Sequence, residues 1–365
     1  MAGGKREDMT GSFGGFITAL SGNPPLQMTT LLILGVILVN GWTDAPNAIA
    51  SLVATGGMEL KRAIRMAAFF NFAGLALMTA CNSSVAFTIY HIADFGDSPR
   101  EALVALCAAL TAIIVWSAAA WSFGIPTSES HALIAGLTGA SVSMYNGLAG
   151  IHGQEWGKVI YGLFLSCFFG FGLGWTGGKA LSWGGKGRFG IFQRRWRKKY
   201  GGWAGKIQIA GAAAMAFMHG AQDGQKFMGV FLMGIFLAKG ELTAGKFPIP
   251  FWMTALCSIV MAAGTAIGGE RIIKTVGADM VKLHRAQGVV SDGAAAACLL
   301  FLSLAGIPVS TTHVKTTAIM GIGAASGPES MDMGIVKEMI LAWIITFPCC
   351  CGIGYGVAEL FQKII

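Results

Sequence analysis

Long apolar runs separated by short polar segments dominate this sequence. A helix needs about 20 consecutive apolar residues to cross a bilayer. Runs close to this length, or longer, lie near 27–57, 66–92, 101–123, 157–183, 206–237, 250–269, 288–305 and 336–361. The pattern predicts an all-α polytopic membrane protein.

Two further apolar stretches, 124–145 and 306–327, begin with Gly-Ile-Pro followed by a group of hydroxyl residues. Proline and serine at that point interrupt a straight helix and leave backbone groups without partners. Such breaks are tolerated at membrane depth only where protein or water satisfies the freed groups. We therefore predict broken or hairpin helices here, which brings the total to about ten crossings.

Two sequence blocks recur in the same order and with nearly the same offset. Residues 40–48, NGWTDAPNA, match 219–227, HGAQDGQKF, and residues 124–131, GIPTSESH, match 306–313, GIPVSTTH. The recurrence indicates an internal repeat. The predicted division is a polar N-terminal segment 1–26, a first transmembrane repeat 27–185, a basic loop 186–206 and a second, inverted repeat 207–365.

The distribution of Lys and Arg predicts the orientation of the chain. The segment 186–206 is rich in Lys and Arg and contains no acidic residue. Basic loops are retained in the cytoplasm, so this loop is predicted to be cytoplasmic. With an odd number of crossings in each half, the halves are inverted and both termini lie outside.

Composition excludes most other classes of protein. The chain of 365 residues is 54% hydrophobic and 12% charged, whereas soluble domains carry roughly 25% charged residues. The net charge of +8 does not indicate a nucleic-acid partner, because much of the basic charge lies in one loop. The eight cysteines lack zinc-finger or CxxC spacing, and we expect no structural metal and no cofactor.

Two acidic residues, Asp44 and Asp223, lie inside apolar stretches at matching positions of the first block pair. An ionised carboxylate in the bilayer costs several kcal/mol unless it faces a partner, a cavity or a cation. We predict that each aspartate holds a coupling cation or carries a proton. Thr43 and Asn47 add neutral oxygens that suit a hard cation such as sodium. Structural ion pairs or hydrogen bonds between helices are the alternative.

Lys226 occupies the position that matches Asn47, and Gln222 precedes Asp223. A lysine one turn from Asp223 can neutralise that carboxylate or attract an oxyanion, and the sequence leaves both roles open. The amide donors of Asn47 and Gln222 suit an anion equally well.

Hydroxyl residues follow both Gly-Ile-Pro motifs. A proline followed by hydroxyls suits the start of a half-helix, whose free N–H groups and positive dipole end attract an anion. Two such ends would form a cradle for a tetrahedral oxyanion, and ordinary helix capping is the alternative. The predicted substrate-binding hydroxyl residues are Thr127, Ser128, Ser130, Ser310, Thr311 and Thr312.

Three more polar residues in these segments are candidates for a proton relay. His131 and His313 match in the repeat, whereas Glu129 has no acidic counterpart in the second half. Histidine changes its charge near neutral pH, which suits a relay. A hydrogen-bonded core histidine is the alternative for each ring.

At these two block pairs the chain resembles the inorganic phosphate transporter (PiT) family, in particular its bacterial branch. Thr43-Asp44 and Gln222-Asp223 stand where that family has a Gly-Ala-Asn-Asp-type signature, and the run at 308–313 also matches. The resemblance implies that the aspartates and their polar neighbours belong to the transport site and that the hydroxyl clusters bind phosphate. It also implies sodium or proton coupling, with neutral metal–phosphate complexes as an alternative cargo.

The sequence therefore predicts a secondary active transporter of the plasma membrane that imports inorganic phosphate, and not an enzyme. Its substrate would lie near the midplane, between broken segments at 40–50, 124–132, 219–229 and 306–314. A sulfate permease of the same family and a passive anion channel are the alternatives. The expected partners are phosphate, with or without a divalent metal, and the lipid bilayer; a homodimer is an open alternative.

Overall fold

The computed structural model describes residues 12–96, 98–183, 188–240, 249–267 and 269–364, and of residues 183, 188–204 and 328 it describes the backbone alone. Within these ranges the protein is all-helical and contains no β-strand. Two isolated β-bridges, Ala93 with Ile151 and Val281 with Met331, join loops at matching places in the two halves.

The first half of the chain forms eight helices. They are α1 (Phe13–Ser21), α2 (Pro24–Thr43), α3 (Ala50–Ala54), α4 (Leu60–Cys81), α5 (Ser84–Tyr90), α6 (Pro99–Ser122), α7 (Glu129–Tyr145) and α8 (Gly153–Trp183). A short 3-10 helix, Ala45–Ile49, joins α2 to α3.

The second half repeats this order with a longer first helix. Its helices are α9 (Arg188–Lys239), α10 (Phe251–Ile267), α11 (Glu270–Lys274), α12 (Arg285–Leu304), α13 (Thr311–Ser326) and α14 (Met333–Ile364). One turn of π-helix, Thr275–Asp279, follows α11.

By length and composition, six of the described helices can cross a membrane, or seven segments if α10 and the bent element after it count as one. Helices α7 and α13 are each preceded by an extended segment that opens with a glycine at positive φ, Gly124 at 71° and Gly306 at 69°. L-residues rarely adopt this conformation. With these two half-helical passages the described residues are consistent with the predicted total of about ten crossings.

Two of the predicted elements differ in the structure. The segment 219–229, predicted to be broken, lies inside the continuous helix α9. The matching segment in the first half is broken because it carries Pro46, which has no N–H to continue the helix. Gln225 occupies that position in α9 and keeps the helical hydrogen bond. The basic segment predicted as a loop is helical from Arg188 onward and continues directly into the following crossing.

The polar N-terminal segment predicted at 1–26 also contains structure. Helix α1 buries Phe16, which is 2% exposed and stacks on Trp252 with ring centroids 4.8 Å apart. The apolar run 66–92 divides into α4 and α5 at Asn82, whose side chain accepts a hydrogen bond from the Ser84 N–H at 2.9 Å.

The two halves are interleaved. Helix α2 packs on α10 while its counterpart α9 packs on α4, and α7 packs on α14 while its counterpart α13 packs on α8. In the first two of these helix pairs, the helices cross each other at matching glycines. A Cβ on Gly41 would lie 2.3 Å from the Met261 carbonyl oxygen, and one on Gly220 would lie 2.1 Å from the Asn71 carbonyl oxygen.

The other two helix pairs, α7 with α14 and α13 with α8, also cross each other at matching glycines. A Cβ on Gly139 would lie 2.0 Å from the Cys351 carbonyl oxygen, and one on Gly321 would lie 2.2 Å from the Phe171 carbonyl oxygen. Small residues permit close backbone approach between helices in lipid. The internal repeat is therefore a repeat of helix crossings as well as of polar motifs.

The two ends of the bundle differ in charge. We call one the basic end; it carries Lys61, Arg62, Arg65, Arg271 and Arg285. At this end Arg285 donates to the Gly56 carbonyl at 3.0 Å. The opposite end, the acidic end, carries Asp94, Glu101 and Glu155. The prediction that the basic end faces the cytoplasm rests on the positive-inside rule.

We expect Gly220→Ala to destabilise the protein, because the added methyl group overlaps a backbone carbonyl of α4 that cannot move alone. Overpacking of this kind costs about 1–3 kcal/mol. The measurement is the thermal unfolding midpoint of the detergent-purified protein. Gly172→Ala in α8 is the control, since no atom lies within 4 Å of its Cβ position. An equal or higher midpoint for Gly220→Ala than for the control would contradict the close crossing.

Candidate functional site

Two extended tips, one before α7 and one before α13, meet in the middle of the bundle from opposite ends. The first tip (124–131) arrives from the basic end, where Arg271 donates to the Ser122 carbonyl at 2.6 Å. The second tip (306–313) arrives from the acidic end, where Asn82 donates to the Leu304 carbonyl at 3.3 Å. The tips touch where Thr312 Oγ1 donates to the Thr127 carbonyl at 3.4 Å.

Each tip starts a half-helix at a buried serine. Ser128 Oγ accepts from the His131 N–H at 3.3 Å, and Ser310 Oγ accepts from the His313 N–H at 3.2 Å. Both predicted serines thus cap their helices, α7 and α13. The remaining free N–H groups and the positive dipole ends of the two helices point towards the centre, which favours negative charge there.

Asp44 lies beside the second tip because α2 ends at Thr43 and the 3-10 turn redirects the chain. Asn47 Nδ2 donates to Asp44 Oδ1 at 2.7 Å, and the Thr312 hydroxyl donates to the same oxygen. Thr311 Oγ1 lies 3.3 Å from Asp44 Oδ2. Asn47 and both threonines, predicted from sequence as site residues, therefore contact this carboxylate directly.

Asp223 is held by the equivalent arrangement on α9. Lys226 Nζ lies 2.5 Å from Asp223 Oδ1, 2.6 Å from Ser130 Oγ and 2.5 Å from the Val309 carbonyl oxygen. Thr311 Oγ1 donates to Asp223 Oδ2 at 2.9 Å. One hydroxyl group therefore lies within reach of both aspartates, and the ammonium joins α9 to both tips.

The charges of this central site do not balance. Three buried carboxyl groups, which we call the acid cluster, belong to Asp44, Asp223 and Glu129, and each is at most 2% exposed. The Lys226 ammonium is the cation that contacts the cluster within the described residues. Buried charge is costly unless it is paired. The site therefore favours binding of a further positive charge, either a proton or a metal cation.

Two predicted residues face away from the aspartates. Thr43 donates to the Val39 carbonyl at 2.9 Å and to Glu129, so it supports the third carboxyl group. Gln222 Nε2 donates to Ser303 Oγ at 3.0 Å and to the Ile307 carbonyl at 3.3 Å, so it braces the second tip.

The two predicted relay histidines lie together behind the tips. The His131 and His313 ring centroids are 4.4 Å apart, and the rings pack on Phe347 and Trp343 respectively. Within the described residues no hydrogen bond joins either ring to a carboxylate. Their role as a relay stays a prediction.

His219 was given no role from the sequence, although it opens the second block. Its Nε2 lies 3.4 Å from Asp223 Oδ2, and its Nδ1 lies 3.0 Å from Asn71 Oδ1. Ligand atoms of Asp44, His219 and Asp223 lie within 4.8 Å of one another, a spacing that can hold a metal ion. In the repeat, His219 aligns with Asn40, and the structure buries both residues. This match of two polar residues was the sequence signal that could have identified His219 as a site residue.

Asp292 is a further buried carboxyl group, outside the central site. From its place near a span end in the sequence we expect an interfacial or structural role. In the structure it is fully buried and paired with Lys315. Only the packing of α12 on α13 brings these two residues together.

Asp44, Asp223 and the two tips form an enclosed polar centre, halfway along an interleaved bundle of apolar helices. It combines three buried carboxyl groups, of which one is paired with an ammonium, with two helix N-termini. A buried polar centre of this kind inside a bundle of apolar helices is typical of a polytopic membrane transporter.

Comparison with known proteins identifies the family. The Phosphate transporter family matches residues 40–354. A protein of Bacillus subtilis described as a "probable low-affinity inorganic phosphate transporter" is 34% identical, over 90% of this chain and 97% of its own length. A Rhizobium meliloti protein with the same description is also 34% identical, over 87% and 92%. The chain therefore belongs to the Phosphate transporter family, which confirms the resemblance drawn from the two block pairs.

A solved structure has the same fold. It is described as "The sodium-dependent phosphate transporter" and superposes with a TM-score of 0.81, covering 94% of this chain and all of its own. Its identity of 21% shows the fold alone.

The charge imbalance predicts unequal effects for the two members of the Asp223–Lys226 pair. Lys226→Met leaves the acid cluster uncompensated, which we expect to cost about 3–5 kcal/mol of stability. Asp223→Asn removes an excess negative charge and should be neutral or stabilising. The measurement is thermal unfolding of the purified variants at fixed pH and salt.

Lys363→Met is the control for removing an ammonium group. Lys363 is exposed and lies 3.9 Å from Glu359, so its loss should change stability by less than about 1 kcal/mol. Equal losses for Lys226→Met and Asp223→Asn would contradict the imbalance.

Proposed function

We propose that the chain imports inorganic phosphate across the plasma membrane by cation symport with alternating access. The observation that carries the proposal is the meeting of two half-helix N-termini, from opposite ends of the bundle, beside a carboxylate cluster with excess negative charge. One part suits a tetrahedral oxyanion and the other suits the cation that accompanies it. The basic end would be cytoplasmic and both termini outside, as the charge distribution predicts.

The phosphate would lie between the two tips. Backbone N–H groups at helix N-termini bind phosphate oxygens without a fixed positive charge, so the anion can leave again. Ser130 and Thr311 add hydroxyl donors, and the Lys226 ammonium already contacts both Ser130 and the second tip. We expect Lys226 to turn towards the phosphate when the anion binds.

The coupling cation would bind on Asp44. Thr311 and Thr312 place hydroxyl oxygens beside this carboxylate, and the Asn47 side-chain oxygen has no hydrogen-bond partner within the described residues. Neutral oxygen atoms of this kind suit sodium. Lys226 replaces the matching Asn47 at Asp223, so the second half provides a tethered ammonium where the first half leaves room for a cation. The chain's resemblance to a sodium-dependent transporter supports sodium, and the carboxylate excess is equally satisfied by a proton.

A divalent metal is the alternative companion of the anion. Asp44, His219 and Asp223 offer two oxygen ligands and one nitrogen ligand close together. They would hold the metal of a neutral metal–phosphate complex as cargo. Such a complex would bring the missing positive charge and the anion in one step.

The enclosure of the centre supports alternating access. Asp44, Asp223 and Thr312 are each at most 2% exposed, so neither end of the bundle gives solvent access to them. Transport therefore requires movement of one group of helices against another. Two inverted, interleaved halves make two related openings energetically similar, because equivalent helix contacts break in each.

Labelled uptake into proteoliposomes tests the function directly. We expect saturable phosphate uptake that accelerates under an inward gradient of sodium or of protons, each applied separately. Uptake indifferent to both gradients would indicate a passive channel. Preference for labelled sulfate over phosphate would make the protein a sulfate permease, and dependence on added Mg²⁺ or Mn²⁺ would identify metal–phosphate as the cargo.

We expect Asp44→Asn and Asp223→Asn each to abolish gradient-driven phosphate uptake, because the site then lacks the charge that attracts the coupling cation. Each variant should still purify as a folded protein. Glu101→Gln, an acidic residue at the exposed start of α6, is the control and should transport normally. Normal uptake by both aspartate variants would remove these residues from the mechanism.

The capping serines give a separate test of the anion cradle. Ser128→Ala and Ser310→Ala should each weaken equilibrium binding of labelled phosphate about fivefold. Loss of a helix cap costs about 1 kcal/mol of helix stability, so the tip is less well ordered for binding. Ser143→Ala, a buried hydroxyl at the far end of α7 that donates to Glu359, is the matched control. Unchanged phosphate affinity in both tip variants would exclude the cradle.

A further inference from the structure

A second buried ion pair lies outside the central site. Lys315 on α13 donates to Asp292 on α12 and, at 3.0 Å, to Ser51 Oγ on α3. Ser51 Oγ also donates to Asp292 Oδ1 at 2.5 Å. All three residues are fully buried, and Asp292 Oδ2 has no hydrogen-bond partner within the described residues. We call these residues the α12–α13 triad.

The triad lies between the central site and the basic end. Helix α13 starts at the centre and runs to the basic end, where Gln287 donates to Ser326 at 2.8 Å. Lys315 is one helical turn beyond Thr311 and lies on the same face. Lys315 is therefore the ammonium group that α13 carries between the second tip and the basic end.

Polar groups continue from the triad to the surface. Gln208 Nε2, itself fully buried, donates to Thr55 Oγ1 at 2.5 Å just beyond Ser51. Arg285 then donates to the Gly56 carbonyl at the exposed turn. A column of polar groups thus runs from the triad to the basic end.

At the three positions that match the triad, the other half of the repeat is apolar. In the repeat, Asp292 aligns with Leu110, Lys315 with Leu133 and Ser51 with Val230. All three counterparts are fully buried in one hydrophobic cluster. The fold therefore accommodates apolar residues at these positions in one half. A buried ion pair often adds no stability over apolar packing, so stability of the fold alone does not explain the charged residues in the other half.

We propose that Lys315 is a second anion station on the path between the central site and the basic end, occupied by Asp292 when that path is closed. The proposal rests on the proposed function of the central site and on its orientation. Asp292 and a phosphate oxygen compete for the same ammonium. When phosphate reaches Lys315, like charge displaces Asp292, and the contact between α12 and α13 that closes the path is released.

Removal of either charged member of the station should slow phosphate release, but the two removals should affect phosphate binding differently. Without the ammonium, phosphate at the central site has no next binding partner, so release slows. Without the Asp292 carboxylate, nothing displaces the anion from Lys315, so phosphate binds more tightly and again leaves slowly. A pair that serves the fold alone would instead lose binding and turnover together in both variants.

The test combines two measurements on detergent-purified and reconstituted protein. We expect Lys315→Gln to lower the maximal rate of phosphate uptake about tenfold, equivalent to about 1.4 kcal/mol, with equilibrium binding of labelled phosphate unchanged. Asp292→Asn should lower the uptake rate and tighten phosphate binding. Leu133→Met, at the apolar counterpart of Lys315, is the control and should leave both quantities unchanged.

The exchanged pair Asp292→Lys/Lys315→Asp distinguishes a station from a structural contact. Exchange restores an ion pair between α12 and α13 but moves the ammonium to α12, so we expect uptake to remain low. Recovery of uptake by the exchanged pair would overturn the proposal. Normal uptake by Lys315→Gln would overturn it as well.

A double variant and the wild-type protein provide two further measurements. If a single variant fails to fold, the neutral double variant Asp292→Asn/Lys315→Gln takes its place, since it leaves no unpaired charge. Wild-type uptake in that double variant would overturn the proposal, and slow uptake with retained phosphate binding would support it. Wild-type protein without phosphate uptake would overturn the proposed function and this inference together, whereas the outcomes above, with wild-type uptake intact, concern the station alone.

Discussion

The excess of buried carboxylate over ammonium at the centre of the bundle is the constraint on which the rest of the site depends. Asp44, Asp223 and Glu129 lie out of contact with solvent, and the Lys226 ammonium offsets only part of their charge. The helix N-termini of α7 and α13 partly compensate from either side. Such a centre is most stable when it contains a further cation. A bound cation would lower the electrostatic cost of placing an anion nearby, which is the physical basis of the coupling proposed above.

The scaffold around this centre is organised by close helix crossings. Gly41 and Gly220 place the two aspartate-bearing segments against α10 and α4, and Gly139 and Gly321 do the same for the two half-helices. Because each crossing joins helices of different halves, neither half forms the site alone. The interleaving brings a tip from each end to the same point and keeps both aspartates within reach of Thr311.

Apart from the break after α2, which α9 lacks, the two halves are similar in backbone and differ in their polar residues. Asn47 faces Asp44 where Lys226 faces Asp223, and the α12–α13 triad has an apolar counterpart of leucines and a valine. These differences give the two openings of a symmetric fold different chemistry. A transporter that binds on one side and releases on the other benefits from such a difference, because the anion must be held on entry and displaced on exit.

Hydropathy, the two block pairs and the Gly-Ile-Pro motifs were enough to predict the helical membrane fold, the repeat and the midplane tips, because each depends on local rules of length, proline geometry and helix capping. Asp44, Asp223 and the tip hydroxyls could be selected because a polar residue inside an apolar run is itself a signal. The prediction of a break at 219–229 was wrong because it carried the break of one block over to the other, although Gln225 stands there in place of Pro46. Nor did the sequence show that Thr43 faces Glu129, that His219 joins the aspartates or that Asp292 meets Lys315. Those contacts join residues far apart in the chain, and only the tertiary packing of interleaved helices determines which buried charges become neighbours.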